Sequence, residues 1–218
     1  MRKRPITRSV YIIAFIISAL LFLIGLMLGW YLGEQTASKM QDEFEKVQED
    51  SYVLEILSLM GSGSNLSCVI YEKQAKRYND DADRFLTRLD YIENQRGKQD
   101  PEVMRLKSAY SLMEIRNFLL LSRIKQQCNG TYVFVLYFYS NQVYDQRVDQ
   151  GMIIEKVRQK NPERMITYSF DVDVNNAAVD AFKNFYNITV TPAVIIDGVK
   201  YEGFMEEAKI ESIIEGRI

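Results

Sequence analysis

The sequence predicts a mixed α/β protein in which a transmembrane helix and an antiparallel α-helical hairpin precede an α/β domain, and three observations predict it. Ser9 to Gly33 contains no charged residue. Residues 68–92 and 103–124 place apolar side chains at helical spacing, with a polar loop between them. From Tyr132 onward, short β-branched and aromatic runs alternate with helical patterns in the order β-α-β-α-β-β-α.

The N-terminal segment, residues 1–8, is a basic tail carrying Arg2, Lys3, Arg4 and Arg8. Behind it, residues 9–33 form a helix about 35 Å long at 1.5 Å per residue, enough to cross a hydrocarbon core of about 30 Å. A signal peptide has a shorter apolar region of about 7–15 residues. Trp30 and Tyr31 suit the far interface. Four basic residues before the span, against Glu34 after it, put the N-terminus in the cytoplasm and the rest outside the cell membrane. Gly25, Gly29 and Gly33 fall four apart on one helix face, where a second copy or a partner's membrane helix could approach closely; against this, glycine is common in membrane helices.

Residues 34–60 continue as an amphipathic stalk helix with Met40, Phe44, Val47, Ser51, Leu54 and Ser58 along one face. That stripe is short and contains two serines, so it predicts packing on the following helices rather than a long coiled coil. Gly61 to Asn65 breaks the helix. Residues 61–128 form the hairpin. Tyr71, Ala75, Tyr78, Ala82, Phe85, Leu89 and Ile92 make one seam; Val103, Leu106, Tyr110, Met113, Leu120 and Ile124 make the other, behind Pro101. Cys68 and Cys128 are equidistant from Lys98 in the connecting loop, so an antiparallel hairpin brings them together at its open end. On an oxidising side they form a disulfide.

Residues 129–218 form the α/β domain. Its strands are expected at Tyr132–Tyr139, Met165–Asp171, Thr189–Ile196 and Val199–Phe204, with an Asp197-Gly198 turn joining the last two. Helices are expected from about Tyr144 to Gln159, from Asn175 to about Tyr186, and from the last strand to Ile214.

Two local segments carry a family resemblance. Val135–Ser140, reading VLYFYS, resembles the thioredoxin strand that leads into the active-site loop. Tyr186 to Ala193, reading YNITVTPA, is similar to that family's segment around its cis-proline, here Pro192. The resemblance covers roughly Thr131 to Ile218 and implies a thioredoxin-like fold. It also sets the family's Cys-x-x-Cys against Val143, Tyr144, Asp145 and Gln146, where neither cysteine is present. A thiolate is what attacks a disulfide, so the family's usual activity is not expected there.

The chain has no histidine, which excludes Ser-His-Asp and Cys-His catalysis and removes the commonest metal ligand; no metal site and no cofactor are expected. A net charge of −2 argues against nucleic acid as a partner. Asp171, Asp173, Asp180 and Asp197 lack calcium-loop spacing and are expected as caps and turn residues. Asn65, Asn129 and Asn187 head N-glycosylation triplets; Asn65 and Asn129 are the candidate acceptors, since a glycan at Asn187 would crowd the cis-proline groove.

These readings converge on a membrane-anchored, non-enzymatic binding or scaffolding module. The resemblance implies a groove formed by Val143, Tyr144, Asp145, Gln146, Thr191 and Pro192 that takes a protein or peptide segment. Two alternatives stay open: a thiol-disulfide oxidoreductase using Cys68 and Cys128, and a purely structural subunit of a membrane complex.

Overall fold

The computed structural model describes residues 8–59, 65–141 and 150–217. The basic tail before Arg8, the Gly61–Ser64 turn and the segment holding Val143, Tyr144, Asp145 and Gln146 lie outside the described residues, as do the surroundings of Gly33 and the side chains of Trp30, Tyr31 and Asn65. The chain divides into two compact units between Glu43 and Phe44.

The first unit is helical. Helix α1, Arg8–Leu59, runs 52 residues without interruption, so the apolar span and the stalk share one helix. Its segment Tyr11–Gly29 is long and apolar enough to cross a membrane, and none of it is buried. A Cβ built at Gly25 or Gly29 would meet nothing within 4 Å.

The second unit starts inside α1. Val47 and Leu54 are fully buried, because the last third of α1 packs with α2, Asn65–Arg96, and α3, Pro101–Cys128. One aromatic from each helix meets at the centre: the Phe44 ring lies 5.6 Å from Phe85, which stacks at 5.0 Å on Tyr110. Tyr71 donates a hydrogen bond to the Leu57 carbonyl at 2.7 Å. Buried Asp50 pairs with Arg77 at 3.0 Å and accepts from Gln74. The apolar stripe of residues 44–54 is thus spent on the hairpin, which removes it from water.

A tight turn separates α2 from α3. Gly97 takes φ 94°, a left-handed conformation that favours glycine. Asp100 then caps α3 by accepting from the Glu102 and Val103 amides, and Pro101 occupies the first helical position. At the other end Asn129 stops α3 in the left-handed region. There Cys68 and Cys128 are joined by a disulfide across 60 residues of sequence.

The strands are β1, Val133–Tyr139; β2, Met165–Asp171; β3, Ala193–Ile196; and β4, Val199–Glu202. The helices between and after them are α4, Gln150–Lys160; α5, Ala177–Phe185; and α6, Glu207–Glu215. The sheet order is β2-β1-β3-β4, with β1 parallel to β2 and antiparallel to β3, which pairs antiparallel with β4. Ile154 and Val157 of α4 and Ile210 and Ile214 of α6 pack with Val133, Val135, Val194 and Ile196 on one face. On the other, Phe118 of α3 sets its ring edgewise to Phe134, Tyr168 and Phe182, at 5.3 to 5.9 Å. Helices on both faces explain the unbroken apolar run of β1. This topology, with a cis Thr191-Pro192 bond just before β3, is the thioredoxin-like fold.

The third and fourth strands are shorter than the sequence suggests. Pro192 has no N–H for the ladder, so β3 begins at Ala193. Gly203 at φ 80° turns the chain away after Glu202, so β4 ends there rather than at Phe204. Helix α4 is described from Gln150, and its expected start near Tyr144 lies outside the described residues.

Candidate functional site

Strand β2 is an edge of the sheet, and an uncovered edge presents unpaired backbone groups. Helix α3 covers it with polar side chains. Glu114, 2% exposed, accepts from the Ser169 amide at 3.3 Å. Tyr168 donates its phenol proton to Asn117 at 2.5 Å. Two turns nearer the start of α3, Lys107 donates to Glu93 of α2 at 2.6 Å and to Asp171, the last residue of β2, at 3.3 Å. All three members of this ion cluster are buried or nearly so, which is tolerable because each charge has a partner.

Asp171 also gathers the strand ends. It accepts from the Asn141 side chain at 2.6 Å and from the Asp173 amide at 3.0 Å. Asp173 accepts from the Ser140 hydroxyl and from the Asn141 amide. Lys98, in the hairpin turn, donates to the Asn141 side-chain oxygen at 2.9 Å. The closed end of the hairpin is therefore tied to the ends of β1 and β2.

Between this network and the start of β3 lies a cavity of about 400 Å³. Thr191 and Pro192 line it together with Tyr137 and Tyr139 of β1, whose rings stack at 5.3 Å, and Glu93 and Lys107 of the hairpin. Gln150 closes another side and anchors the start of α4 by a two-point bond, its amide donating to the Met205 carbonyl and accepting from the Met205 N–H. Burial raises the Tyr139 phenol well above its ordinary value, and the carboxylates of Asp171, Glu93, Glu114 and Asp90 push it the same way. Burial also raises Glu114 well above the usual carboxylate range, against the lowering effect of the Ser169 amide.

Two of the six groove residues expected from sequence, Thr191 and Pro192, meet at this cavity; the other four lie outside the described residues. Cys68 and Cys128 are joined, and at the opposite end of the hairpin: Lys107 and Cys128 are 21 residues apart on α3, about 30 Å along a helix. Asn129 is exposed, as is Asn187, each at a positive φ. Asp197 is a turn residue as expected, accepting from the Phe134 amide and from Lys125. Asp171 heads a turn, accepting from the Asp173 amide, and beyond that expectation it is 2% exposed and ion-paired, because α3 brings Lys107 to it. The N-cap of α5 is Asn176 instead.

Sequence reasoning missed Lys107, Glu93, Asn141 and Glu114. One signal was present: Lys107, Ser111, Glu114 and Asn117 recur at helical spacing beside the apolar stripe of α3. A buried polar face has the same period as a solvated one, so periodicity alone could not separate them.

No family model and no curated protein matches the chain. Among solved structures it is similar to a chloroplastic thioredoxin z, at 18% identity over 44% of this chain and 88% of that one, with a TM-score of 0.35. It is similar to thioredoxin O2 from Arabidopsis thaliana in the oxidized state, at 20% identity over 45% and 86% with a TM-score of 0.34. A Malassezia sympodialis thioredoxin matches at 18% identity over 44% and 84%, with a TM-score of 0.28. What carries the fold here is the strand order and the placement of helices on the two faces of the sheet.

Proposed function

We propose that this chain is a single-pass membrane protein with a cytoplasmic N-terminus, and that its external thioredoxin-like domain binds an extended protein segment without thiol chemistry. The observation that carries the reading is the cavity of about 400 Å³ in front of Thr191 and Pro192. Its volume falls within the range of about 300–1,000 Å³ of small-ligand pockets, and it opens where the chain leads into β3 and can offer its backbone to an added strand. The two cysteines, joined to each other at the far end of the hairpin, are badly placed to react with anything bound here. Gly25 and Gly29, whose helix surface is open, are where a second membrane helix packs if the protein dimerises.

The test is direct binding of a fluorescent library of unstructured peptides to the full-length protein in detergent micelles. Thr191→Arg fills the mouth of the cavity and is expected to weaken capture about tenfold or more, the equivalent of 1.4 kcal/mol, at an unchanged unfolding midpoint. Equal capture by T191R and the parent chain rules the reading out.

A further inference from the structure

Among the described residues the charges lining the cavity do not cancel: three carboxylates, Asp90, Glu93 and Asp171, stand against two ammonium groups, Lys98 and Lys107. Lys107 is committed to Glu93 and Asp171 together, and Lys98 sits on the exposed hairpin turn bonded to Asn141. One buried ammonium thus faces two carboxylates, and the third, Asp90, stands one helical turn before Glu93 on α2.

The neighbouring groups respond to that excess. After burial, the carboxylates of Asp171, Glu93, Glu114 and Asp90 hold the proton on the Tyr139 phenol. Asp90 is raised by burial and then by Glu93, with Lys107 and Lys98 opposing. The described lining carries one carboxylate more than ammonium groups. The aromatic wall of the cavity, Tyr137 and Tyr139, is a surface that cations favour. Because the ligand of the proposed reading is a protein segment, the matching cation is a basic side chain.

We propose that the cavity is a specificity pocket for a basic side chain, arginine or lysine, of the segment bound at Thr191 and Pro192. The proposal rests on the binding reading above. In an extended segment alternate side chains point the same way, so a backbone laid along the mouth at Thr191 drops one side chain toward Tyr139. There its charge meets the Glu93 and Asp90 carboxylates, and a carboxylate-bearing side chain meets repulsion.

The experiment measures binding of acetyl-Gly-Ala-X-Ala-Gly amides to the full-length protein in detergent micelles, with X as arginine, its neutral isostere citrulline, or glutamate, and with arginine amide alone as a fourth probe. The arginine peptide is expected to bind about tenfold tighter than the citrulline peptide, with glutamate weakest. Asp90→Asn should shrink that preference, and Asp90→Lys should reverse it. Equal binding of the arginine and citrulline peptides overturns the basic-side-chain pocket and leaves the segment-binding reading standing. Arginine amide held in an Asp90-dependent way, with no peptide bound, overturns the segment-binding reading and keeps the cation preference of the cavity. Binding of none of the four overturns both.

Discussion

The two ends of the helical hairpin are closed by different means. At its open end Cys68 and Cys128 hold α2 to α3 covalently. At its closed end the turn is tied to the sheet by ions and amides: Lys98 to Asn141, Lys107 to Glu93 and Asp171. The second end borders the cavity in front of Thr191 and Pro192. A covalent staple needs no solvent access and no adjustable charge, whereas a network of paired ions fixes several elements around a space and gives that space a potential. On the proposed reading, stability and binding chemistry are separated along one pair of helices.

The largest effect that would sharpen this contrast comes from the covalent end. The bond closes a loop 60 residues apart in sequence, and removing it should cost about 4 kcal/mol on the chain-entropy account. Cys68→Ser with Cys128→Ser should therefore lower the urea midpoint strongly, yet leave peptide capture intact in buffer. Lost capture in a folded double variant would break the separation.

At the ionic end the effect should be slightly smaller. Lys107→Met strands Glu93 and Asp171, and one-sided loss of a buried ion pair costs on the order of 3 kcal/mol. Here capture should fall with stability, because the strand ends bordering the cavity lose their tie. Chemical denaturation beside the binding titration separates this outcome from a purely structural one.

The smallest effect lies midway along α3, at Glu114. Its folded carboxyl is raised, so the folded state holds a proton that the unfolded chain gives up above the ordinary value of 4.5. Its contribution is complete below that value and declines as pH rises from there toward the folded value. Glu114→Gln keeps an oxygen for the Ser169 amide and has no proton to lose. It should flatten the fall in stability between pH 5 and 8 and raise the melting temperature at the upper end of that range, as followed by thermal scans. An unchanged slope would place the titrating group elsewhere.

Much of this architecture was legible beforehand. Strand β2 was bounded correctly at Met165–Asp171 and the start of α3 was placed at Pro101, because β-branched runs and a proline at the first helical position are local signals. The partnership of Cys68 with Cys128 followed from hairpin symmetry. Illegible were the groups that give the cavity its character. Nothing local to Lys107 distinguishes it from a solvated lysine, and nothing local to Asp171 marks it as more than a turn aspartate.

By itself, then, the sequence determined the apolar span, the helix and strand succession, and the disulfide, all of which depend on residue type and short-range spacing. Only the tertiary structure decided that α3 covers the edge of β2 with polar side chains, and that Glu93, Lys107, Asn141 and Asp171 meet beside Pro192. Whether a charge points to water or to another charge depends on which surfaces come together, and that is a property of packing across distant segments.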